Sequence, residues 1–373
     1  MSEKSKVYFT DFRARPGYNL LQKLEKLVRK AGIENIDFEN KYVAIKIHFG
    51  EPGNLAYLRP NYSKVIVDLV KKLGGKPFLT DCNTLYVGGR KNALDHLDSA
   101  YVNGYNPFTT GCHIIIADGL KGTDEQYVEI NQEYVKTAKI GRAIMDADVI
   151  ISMNHFKGHE GTGFGGAIKN IGMGCGSRAG KMEMHSSGKP NVIPEHCKKC
   201  KQCIKICAHG AISYNEEGKA VIDYNKCVGC GRCIGICNFD AIKSPNDEAA
   251  DILNKKMAEY ALAVVKDKPQ FHISLICDVS PNCDCHGEND APIVPNIGML
   301  ASFDMVALDK ACADLVNKQE VFENSYLAEQ MKNGVKEKDL FHCNHPDTNW
   351  ESQIEHGEEI GLGTKEYELI EIK

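Results

Sequence analysis

The sequence lacks the features that would place the protein in a membrane or on nucleic acid. It has no apolar run near the roughly 18 residues that a membrane span needs. Its first residues, MSEKSKVYFTDF, contain no apolar stretch like that of a secretory leader. A net charge of −5 argues against a general binder of nucleic acid or of anionic membranes. We therefore expect a cytoplasmic protein with no membrane or nucleic-acid partner.

Three common catalytic signatures are also lacking. The sequence has no P-loop, no dinucleotide-type G-x-G-x-x-G and no G-x-S-x-G. Chemistry that depends on nucleotides or on a serine nucleophile therefore has no support.

Cysteine, in contrast, is abundant, with sixteen residues in the chain of 373. In a cytoplasmic protein this points to metal or redox chemistry rather than to disulfides. Eight of the sixteen form two C-x-x-C-x-x-C-x-x-x-C sets that lie 30 residues apart. The sets are Cys197, Cys200, Cys203 and Cys207, and then Cys227, Cys230, Cys233 and Cys237. Ala211-Ile212 recurs as Ala241-Ile242 at the same offset, so the repeat extends beyond the thiols.

This block resembles the bacterial two-cluster ferredoxin module, which carries two [4Fe–4S] clusters. In that module each cluster takes three thiolates from one set and the fourth from the other. One cluster is then expected on Cys197, Cys200, Cys203 and Cys237, and the other on Cys227, Cys230, Cys233 and Cys207. Zinc is the alternative, but zinc sites use two C-x-x-C pairs and have no need of duplicated triplets. Where the family has proline, this chain has Ala208 and Asn238, which removes no ligand.

The first set of thiols lies in a basic stretch without acids. The cations are Lys198, Lys199, Lys201 and Lys205. One interpretation is an ordinary solvated face. The other is a docking face for an acidic electron carrier, or a local field that raises the cluster potential. The expected partner is a redox partner protein or a low-potential electron carrier.

Outside this block the sequence alternates between strand and helix patterns. Apolar, β-branched runs predict strands at 42–49, 77–81, 113–118, 148–154 and 271–279. Helical periodicity predicts helices at 18–31, 62–73, around 137–147 and at 247–266. This order indicates an α/β fold, a mainly parallel sheet with flanking helices.

The simplest domain organisation is one α/β domain with an insertion. Residues 1–190 form its first part, and residues 191–245 form an inserted α+β ferredoxin module with two [4Fe–4S] clusters. Residues 246–373 return to the sheet and end in a polar tail, beyond about 330, that is expected to wrap the surface.

Residues able to do chemistry follow the predicted strands. They are His48, Asp81, Asp118 and His155. In parallel sheets the ligand site lies beyond the carboxyl ends of the strands, so we expect these side chains to meet there.

The segment 155–176 is the strongest candidate for this site. Its glycines permit close backbone approach to an anion or an oxygen-rich cofactor, and Gly163, Gly165, Gly166 and Lys157 are the expected cofactor-binding residues. His155, His159 and Lys169 are the expected catalytic residues. The alternatives are a tight loop and histidines that only pack. Cys175 at the end of the loop fits a small buried hydrophobe.

A second candidate follows the last predicted strand. Cys283, Cys285 and His286 place three possible metal ligands within four residues. Metal binding, redox thiol chemistry and a structural role all remain open for them. Asp304 and Asp309 flank a following helix and fit capping residues.

Long motifs in the outer domain resemble one family. They are IKIHFGEPGN (45–54), IISMNHFKGHEGTGFGGAIKNIGMGCG (150–176) and CDVSPNCDCHGENDAPIVPNIGMLASFDMVALDKA (277–311). They resemble the domain-of-unknown-function 362 family, iron–sulfur proteins of anaerobes in which an α/β domain is often joined to ferredoxin modules. The resemblance implies no particular reaction.

A shorter loop is similar to that of nickel-pincer lactate racemases. It has His159, then Gly165-Gly166, then Lys169, ten residues after the histidine. This similarity implies a shared location of the active site and, less directly, a shared cofactor.

The sequence therefore predicts an iron–sulfur oxidoreductase. Electrons would pass through two [4Fe–4S] clusters to the α/β site, where a small substrate or one further metal or organic cofactor reacts. The alternatives are a non-catalytic electron carrier and a metallocofactor assembly protein.

Overall fold

The computed structural model describes residues 4–86, 88–185, 189–207, 209–227, 232–237, 239, 241–243, 250–332 and 339–373. Its strands are β1 Ser5–Asp11, β2 Tyr42–Ile47, β3 Lys76–Asp81, β4 Ile114–Ile116, β5 Glu125–Glu129, β6 Thr137–Gly141, β7 Val149–His155, β8 Lys157–His159, β9 Gly163–Gly165, β10 Asn191–Val192, β11 Ile212–Tyr214, β12 Ala220–Ile222, β13 Ile242–Lys243, β14 Gln270–Ile276, β15 Gly298–Ser302 and β16 Tyr367–Glu371.

Helices cover both faces of the main sheet, and further helices belong to the other parts of the chain. They are α1 Leu20–Lys30, α2 Pro60–Lys72, α3 Ala93–Val102, α4 Pro107–Thr110, α5 Arg142–Asp146, α6 Ala167–Cys175, α7 Arg178–His185, α8 Gln202–Ile206, α9 Arg232–Ile236, α10 Ala250–Val265, α11 Met305–Val316, α12 Tyr326–Lys332, α13 Leu340–Asn344 and α14 Glu351–Glu359. Across the described ranges, no helix is both long enough and apolar enough to cross a bilayer.

The main sheet has eight strands in the order β16-β1-β15-β14-β7-β2-β3-β4. The run from β14 to β4 is parallel throughout, and β15 alone pairs antiparallel with both of its neighbours. The predicted α/β class, a mainly parallel sheet with flanking helices, is confirmed.

The central strand β7 shows why strands of the main sheet could be predicted from the sequence. All seven of its residues are buried, as expected for a strand covered by helices on both faces. Ile150 belongs to the core on one side of the sheet, and Ile151 belongs to the core on the other. Helices α6, α10, α11 and α14 cover the first side, and α1 and α2 cover the second.

Two predictions about secondary structure were wrong. The helix expected around 137–147 is confined to Arg142–Asp146, because Thr137–Gly141 alternates buried and half-buried residues and pairs with β5 instead. The tail beyond 330 does not merely wrap the surface. Phe341 and Trp350 are buried in the core, and β16 adds an edge strand to the main sheet beside β1.

The segment between the two halves of the sheet has its own pairing. Its first strand, β10, pairs antiparallel with its last, β13, so the two ends of the segment lie side by side. Its small core contains Cys197, Cys203, Cys233 and Cys237 together with Ile212 and Ile242. The division of the chain into an α/β domain and an inserted ferredoxin module stays a prediction.

Candidate functional site

Four thiols from the two cysteine sets surround one cavity. They are Cys197, Cys200, Cys203 and Cys237. Ala220, Ala241 and Ile242 form part of its wall. The pKa of Cys203 is raised to about 11 by burial and by the neighbouring thiols of the same group. The structure thus brings together three cysteines of the first set and the fourth of the second.

The 30-residue repeat is also a repeat of structure. Helix α8 begins at Gln202 and α9 at Arg232, and both are five residues long. The backbone N–H of Ala211 donates to Cys207 Sγ at 3.3 Å, and that of Ala241 donates to Cys237 Sγ at the same distance. Amide donors of this kind stabilise thiolates that bind a cluster. Cys230, with Ala208 and Asn238, lies outside the described residues.

The loop of the first cysteine set contains two residues with an unusual backbone conformation. Lys199 and Lys201 adopt left-handed conformations, with φ of 59° and 63°, which disfavour residues with a Cβ. The positions 30 residues later carry Gly229 and Gly231. The loop of the first set therefore adopts a backbone for which glycine is the usual residue.

A second group of thiols lies beyond the carboxyl end of β14. Cys283 is buried, with 1% of its surface exposed, and Cys285 is half-buried. A nitrogen of His159 and the sulfurs of Cys283 and Cys285 all lie within 4.8 Å of one another. Lys169 Nζ lies 3.4 Å from Cys283 Sγ. The glycine-rich segment and the C-x-C-H segment, distant in sequence, therefore form one site, which we call the thiol site.

Charge at the thiol site favours a thiolate on Cys283. The thiol of Cys285 donates a hydrogen bond to Cys283, and this lowers the pKa of Cys283. Burial acts in the opposite direction, but Lys169, Lys157 and His159 lower the pKa further. The pKa of Cys283 is therefore held well below its usual range. The same hydrogen bond and burial raise the pKa of Cys285. Burial alone would lower the pKa of Lys169, but the negative charges of the two sulfurs and of Glu160 raise it.

The ring of His159 is held in one tautomer. Its Nδ1 accepts the backbone N–H groups of Gly161 at 3.0 Å and Thr162 at 3.1 Å. In the neutral ring the proton is therefore on Nε2. His159 is thus a hydrogen-bond donor toward the thiols, and a metal bound at Nε2 would have to displace that proton.

His155 is placed differently from the sequence prediction. Its Nδ1 lies 2.8 Å from Asp284 Oδ2, and its Nε2 lies 2.7 Å from the carbonyl oxygen of Cys277. Both partners are hydrogen-bond acceptors, so both ring nitrogens of His155 are occupied by contacts within the protein. We therefore assign His155 a positioning role and no longer regard it as a general base.

Asp284 contacts a histidine and a lysine. Lys157 Nζ is 3.3 Å from Oδ2, the same oxygen that lies 2.8 Å from His155 Nδ1. Burial alone would raise the pKa of Asp284, but the charges of His155 and Lys157 hold it below its usual range. Lys157 also donates to the carbonyl of His155 at 3.1 Å. This ion triad fixes the chain on both sides of the thiol site.

An imidazole–carboxylate pair borders Cys285. His286 Nε2 lies 2.8 Å from Glu160 Oε1, and ligand atoms of Glu160, Cys285 and His286 lie within 4.8 Å of one another. Both side chains of the pair are about two-fifths exposed. The pair therefore connects the thiol site to solvent.

The glycines expected to hold a cofactor have mostly packing roles. A Cβ on Gly163, whose φ is +79°, would lie 2.7 Å from Trp350 Cβ, and one on Gly166 would collide with the Asp309 carboxylate. Asp309 itself accepts the first N–H groups of α6, from Ala167 and Ile168, at 2.7 and 2.9 Å. A carboxyl group of the protein thus occupies this helix N-terminus, and burial raises the pKa of Asp309 to about 7. Gly165 alone of the three borders Lys157 and Lys169.

Several buried ionic groups beside the thiol site were not predicted from the sequence. Arg90 is 2% exposed, and its Nε lies 2.7 Å from Glu51 Oε2. Its Nη1 lies 2.8 Å from His48 Nε2. Lys46 Nζ lies 3.0 Å from Asp81 Oδ1. Arg90 stands in the polar stretch GGRKN, which has no periodicity to mark a buried position.

The strand-end residues meet only in part. Burial and Arg90 lower the pKa of His48, while the charges of Cys283, Asp81 and Asp284 act on it in the opposite direction. His48 and Asp81 are therefore neighbours of the thiol site. Asp118 instead bonds to Asn83, whose Nδ2 lies 2.8 Å from its Oδ1.

Helix α7 joins the thiol site to the cysteine module. Met182 on this helix is fully buried in the apolar cluster that contains Cys197, Cys203, Cys233 and Cys237. His185 lies one turn further along, about 5 Å by helix rise. Burial and the charges of His159 and Lys169 lower the pKa of His185 to about 3. One short helix therefore packs against the cysteine module and ends at a residue that lies within the electrostatic influence of the thiol site.

The sequence matches a family model over residues 43–314, the domain of unknown function DUF362. The chain belongs to this family. The match covers more than two thirds of the chain and includes the segments that form the thiol site. No curated protein is detectably similar in sequence.

Two solved structures share a general similarity of fold. One is the lactate racemase apoprotein from Thermoanaerobacterium thermosaccharolyticum, with 12% identity, a TM-score of 0.42, and coverage of 100% of this chain and 84% of that one. The other is a Thermotoga maritima protein, with 12% identity, a TM-score of 0.40 and coverage of 79% of this chain. This chain spans 57% of the length of the Thermotoga maritima protein. Both similarities are too low to transfer a site.

Proposed function

We propose that this DUF362 protein is an iron–sulfur redox protein that transfers electrons between a partner protein and the thiol site, where a small substrate or cofactor reacts. The observation that supports it best is the position of Cys237, which joins Cys197, Cys200 and Cys203 around one cavity. Those four residues would hold one [4Fe–4S] cluster. When bound, such clusters store and transfer electrons.

The residues around the cavity suit a cluster better than a zinc ion. Four thiols line it together with small and branched apolar side chains. Backbone N–H groups reach the sulfurs of Cys237 at 3.3 Å and Cys197 at 3.5 Å. By the repeat, the other cluster would use Cys207, Cys227 and Cys233 with Cys230.

The position of α7 supports electron delivery to the thiol site. Met182 packs against the cysteine module, and His185 lies in the field of Lys169 and His159. We therefore propose α7 as the connection between the two groups of thiols.

The partner is expected to be an acidic electron carrier. Lys198, Lys199, Lys201 and Lys205 are all exposed, and so is Cys200 between them. A cluster bound there would lie close to this basic surface. Opposite charge on the partner would speed the encounter and orient it.

The docking experiment uses two double variants with equal charge change. Lys198→Glu/Lys205→Glu alters the basic surface, and Lys30→Glu/Lys72→Glu alters exposed residues on α1 and α2. A chemically reduced flavodoxin, an acidic carrier whose flavin spectrum differs from that of iron–sulfur clusters, is mixed with each protein, and the visible absorption of the flavin is followed. At low salt we expect the Lys198/Lys205 variant to react more slowly than the wild type by a factor of about ten or greater.

The control variant should react within about twofold of the wild type, and salt should slow the wild type more than the Lys198/Lys205 variant. Equal rates for the two variants would contradict the docking surface. No absorption change in the wild type would contradict the proposed function.

A further inference from the structure

We infer that Cys283 and Cys285 are a redox-active pair that cycles between a dithiol and a disulfide and accepts two electrons at the thiol site. This inference rests on the proposed function, because it takes the iron–sulfur clusters as the source of those electrons. It assigns the chemistry of the thiol site to the chain's own sulfurs.

The two sulfurs can reach bonding distance. They lie within 4.8 Å of each other in the dithiol form. The Cα atoms of residues two apart are separated by at most about 7 Å, a range that overlaps the separation found in disulfides. The spacing of the two residues is therefore compatible with an S–S bond between them.

The contacts of Cys283 suit a thiolate that has no metal. Lys169 Nζ is 3.4 Å away, and the Nε2–H of His159 faces the same sulfurs because Nδ1 accepts two amide N–H groups. A bound cation would compete with the Lys169 ammonium and with that proton. The arrangement instead stabilises one negative sulfur beside one neutral thiol.

The electrons and protons of the step balance. The S–S bond takes two electrons, one for each sulfur, and breaks. One proton then goes to Cys285, and Cys283 remains a thiolate beside Lys169. His286 and Glu160 lie within 4.8 Å of Cys285 and reach solvent, so they can supply the proton. Two low-potential [4Fe–4S] clusters, which give one electron each, are the reductant.

The exposures of the two sulfurs differ in a useful way. Cys283 is 1% exposed, whereas Cys285 is half-buried at the edge of the site. Cys285 is therefore the sulfur that a small oxidant or disulfide substrate would meet, and it would react after passing its proton to the neighbouring Glu160–His286 pair.

The first experiment measures the redox state of the pair directly. Holoprotein purified without oxygen is equilibrated in dithiothreitol buffers of graded potential, denatured in N-ethylmaleimide and digested. Mass spectrometry then counts adducts on the peptide that contains Cys283 and Cys285. We expect a change from two adducts to none in a single two-electron step, about tenfold in the reduced-to-oxidised ratio per 30 mV.

The second experiment counts electrons. Photoreduction with a deazaflavin should put about four electron equivalents into oxidised wild type, and about two into Cys283→Ser, because the variant has clusters but no disulfide. Cys312→Ser, which removes a buried cysteine on α11, should match the wild type.

The outcomes separate the two proposals. Two adducts at every potential, with cluster absorption intact, would overturn the dithiol pair and leave the proposed function standing. A two-electron disulfide without cluster absorption would contradict the proposed function instead. A zinc, nickel or additional iron ion released from the wild type but lacking in Cys283→Ser would show a metal site and overturn the inference.

Discussion

Replacing both Cys203 and Cys237 with serine should cost the protein one cluster and leave the other intact. The two residues belong to different sequence sets, but they line the same cavity. The iron content should fall from about eight to about four per chain. Each single replacement should give nearly the same result as the pair, because both remove ligands from one cluster.

The matched control pairs two cysteines of one set. Cys203→Ser/Cys207→Ser changes as many thiols, but Cys207 belongs with the second cluster by the repeat. This variant should hold almost no iron. Iron and acid-labile sulfide, measured on protein purified without oxygen, decide between the two. If Cys203→Ser/Cys207→Ser kept half of the iron and Cys203→Ser/Cys237→Ser lost all of it, each cluster would be held within one set.

Asp284→Ala should be among the most destabilising single changes in the α/β domain. The carboxylate is fully buried and contacts His155 at 2.8 Å and Lys157 at 3.3 Å. Without it the buried Lys157 ammonium and the His155 imidazole lose their carboxylate partner, which costs about 3–5 kcal/mol of the free energy of unfolding. At roughly 2 °C per kcal/mol, the unfolding temperature should fall by about 6–10 °C.

Two further variants test the reason for this loss. Asp284→Asn keeps an oxygen for the His155 N–H but no charge, so its loss should be intermediate. Glu288→Ala removes a nearby acid that is 88% exposed, and it should change stability by less than about 0.5 kcal/mol. Thermal unfolding followed by circular dichroism gives all three values. An unfolding temperature for Asp284→Ala within 2 °C of the wild type, by the same roughly 2 °C per kcal/mol scale, would show that the triad does not hold the site together.

The parts of the fold that were predictable are those in which local pattern and burial agree. β7 is buried on both faces and begins with the apolar run 149–151, and α1 has a capping box at Asn19 and Gln22. β1, β15 and β16 were not predicted. β16 is an edge strand with two half-buried and three exposed residues, a pattern that a polar tail shares.

The site divides in the same way. The thiols of the two sets, with His159, Lys169, Cys283 and Cys285, could be chosen by residue type and spacing. The roles of Arg90, Asp309 and His155 could not, because they depend on partners distant in sequence. Asp309 caps a helix that begins 142 residues earlier, and the acceptors of His155 lie more than 120 residues away.

The metal and sulfide content of the wild-type protein tests the central claim most directly. The protein is purified without oxygen, and iron, acid-labile sulfide and all other metals are measured per chain together with the visible spectrum. We expect about eight irons and about eight sulfides, with the broad absorption of [4Fe–4S] clusters. Bound zinc without acid-labile sulfide would contradict the central claim that the two cysteine sets hold iron–sulfur clusters.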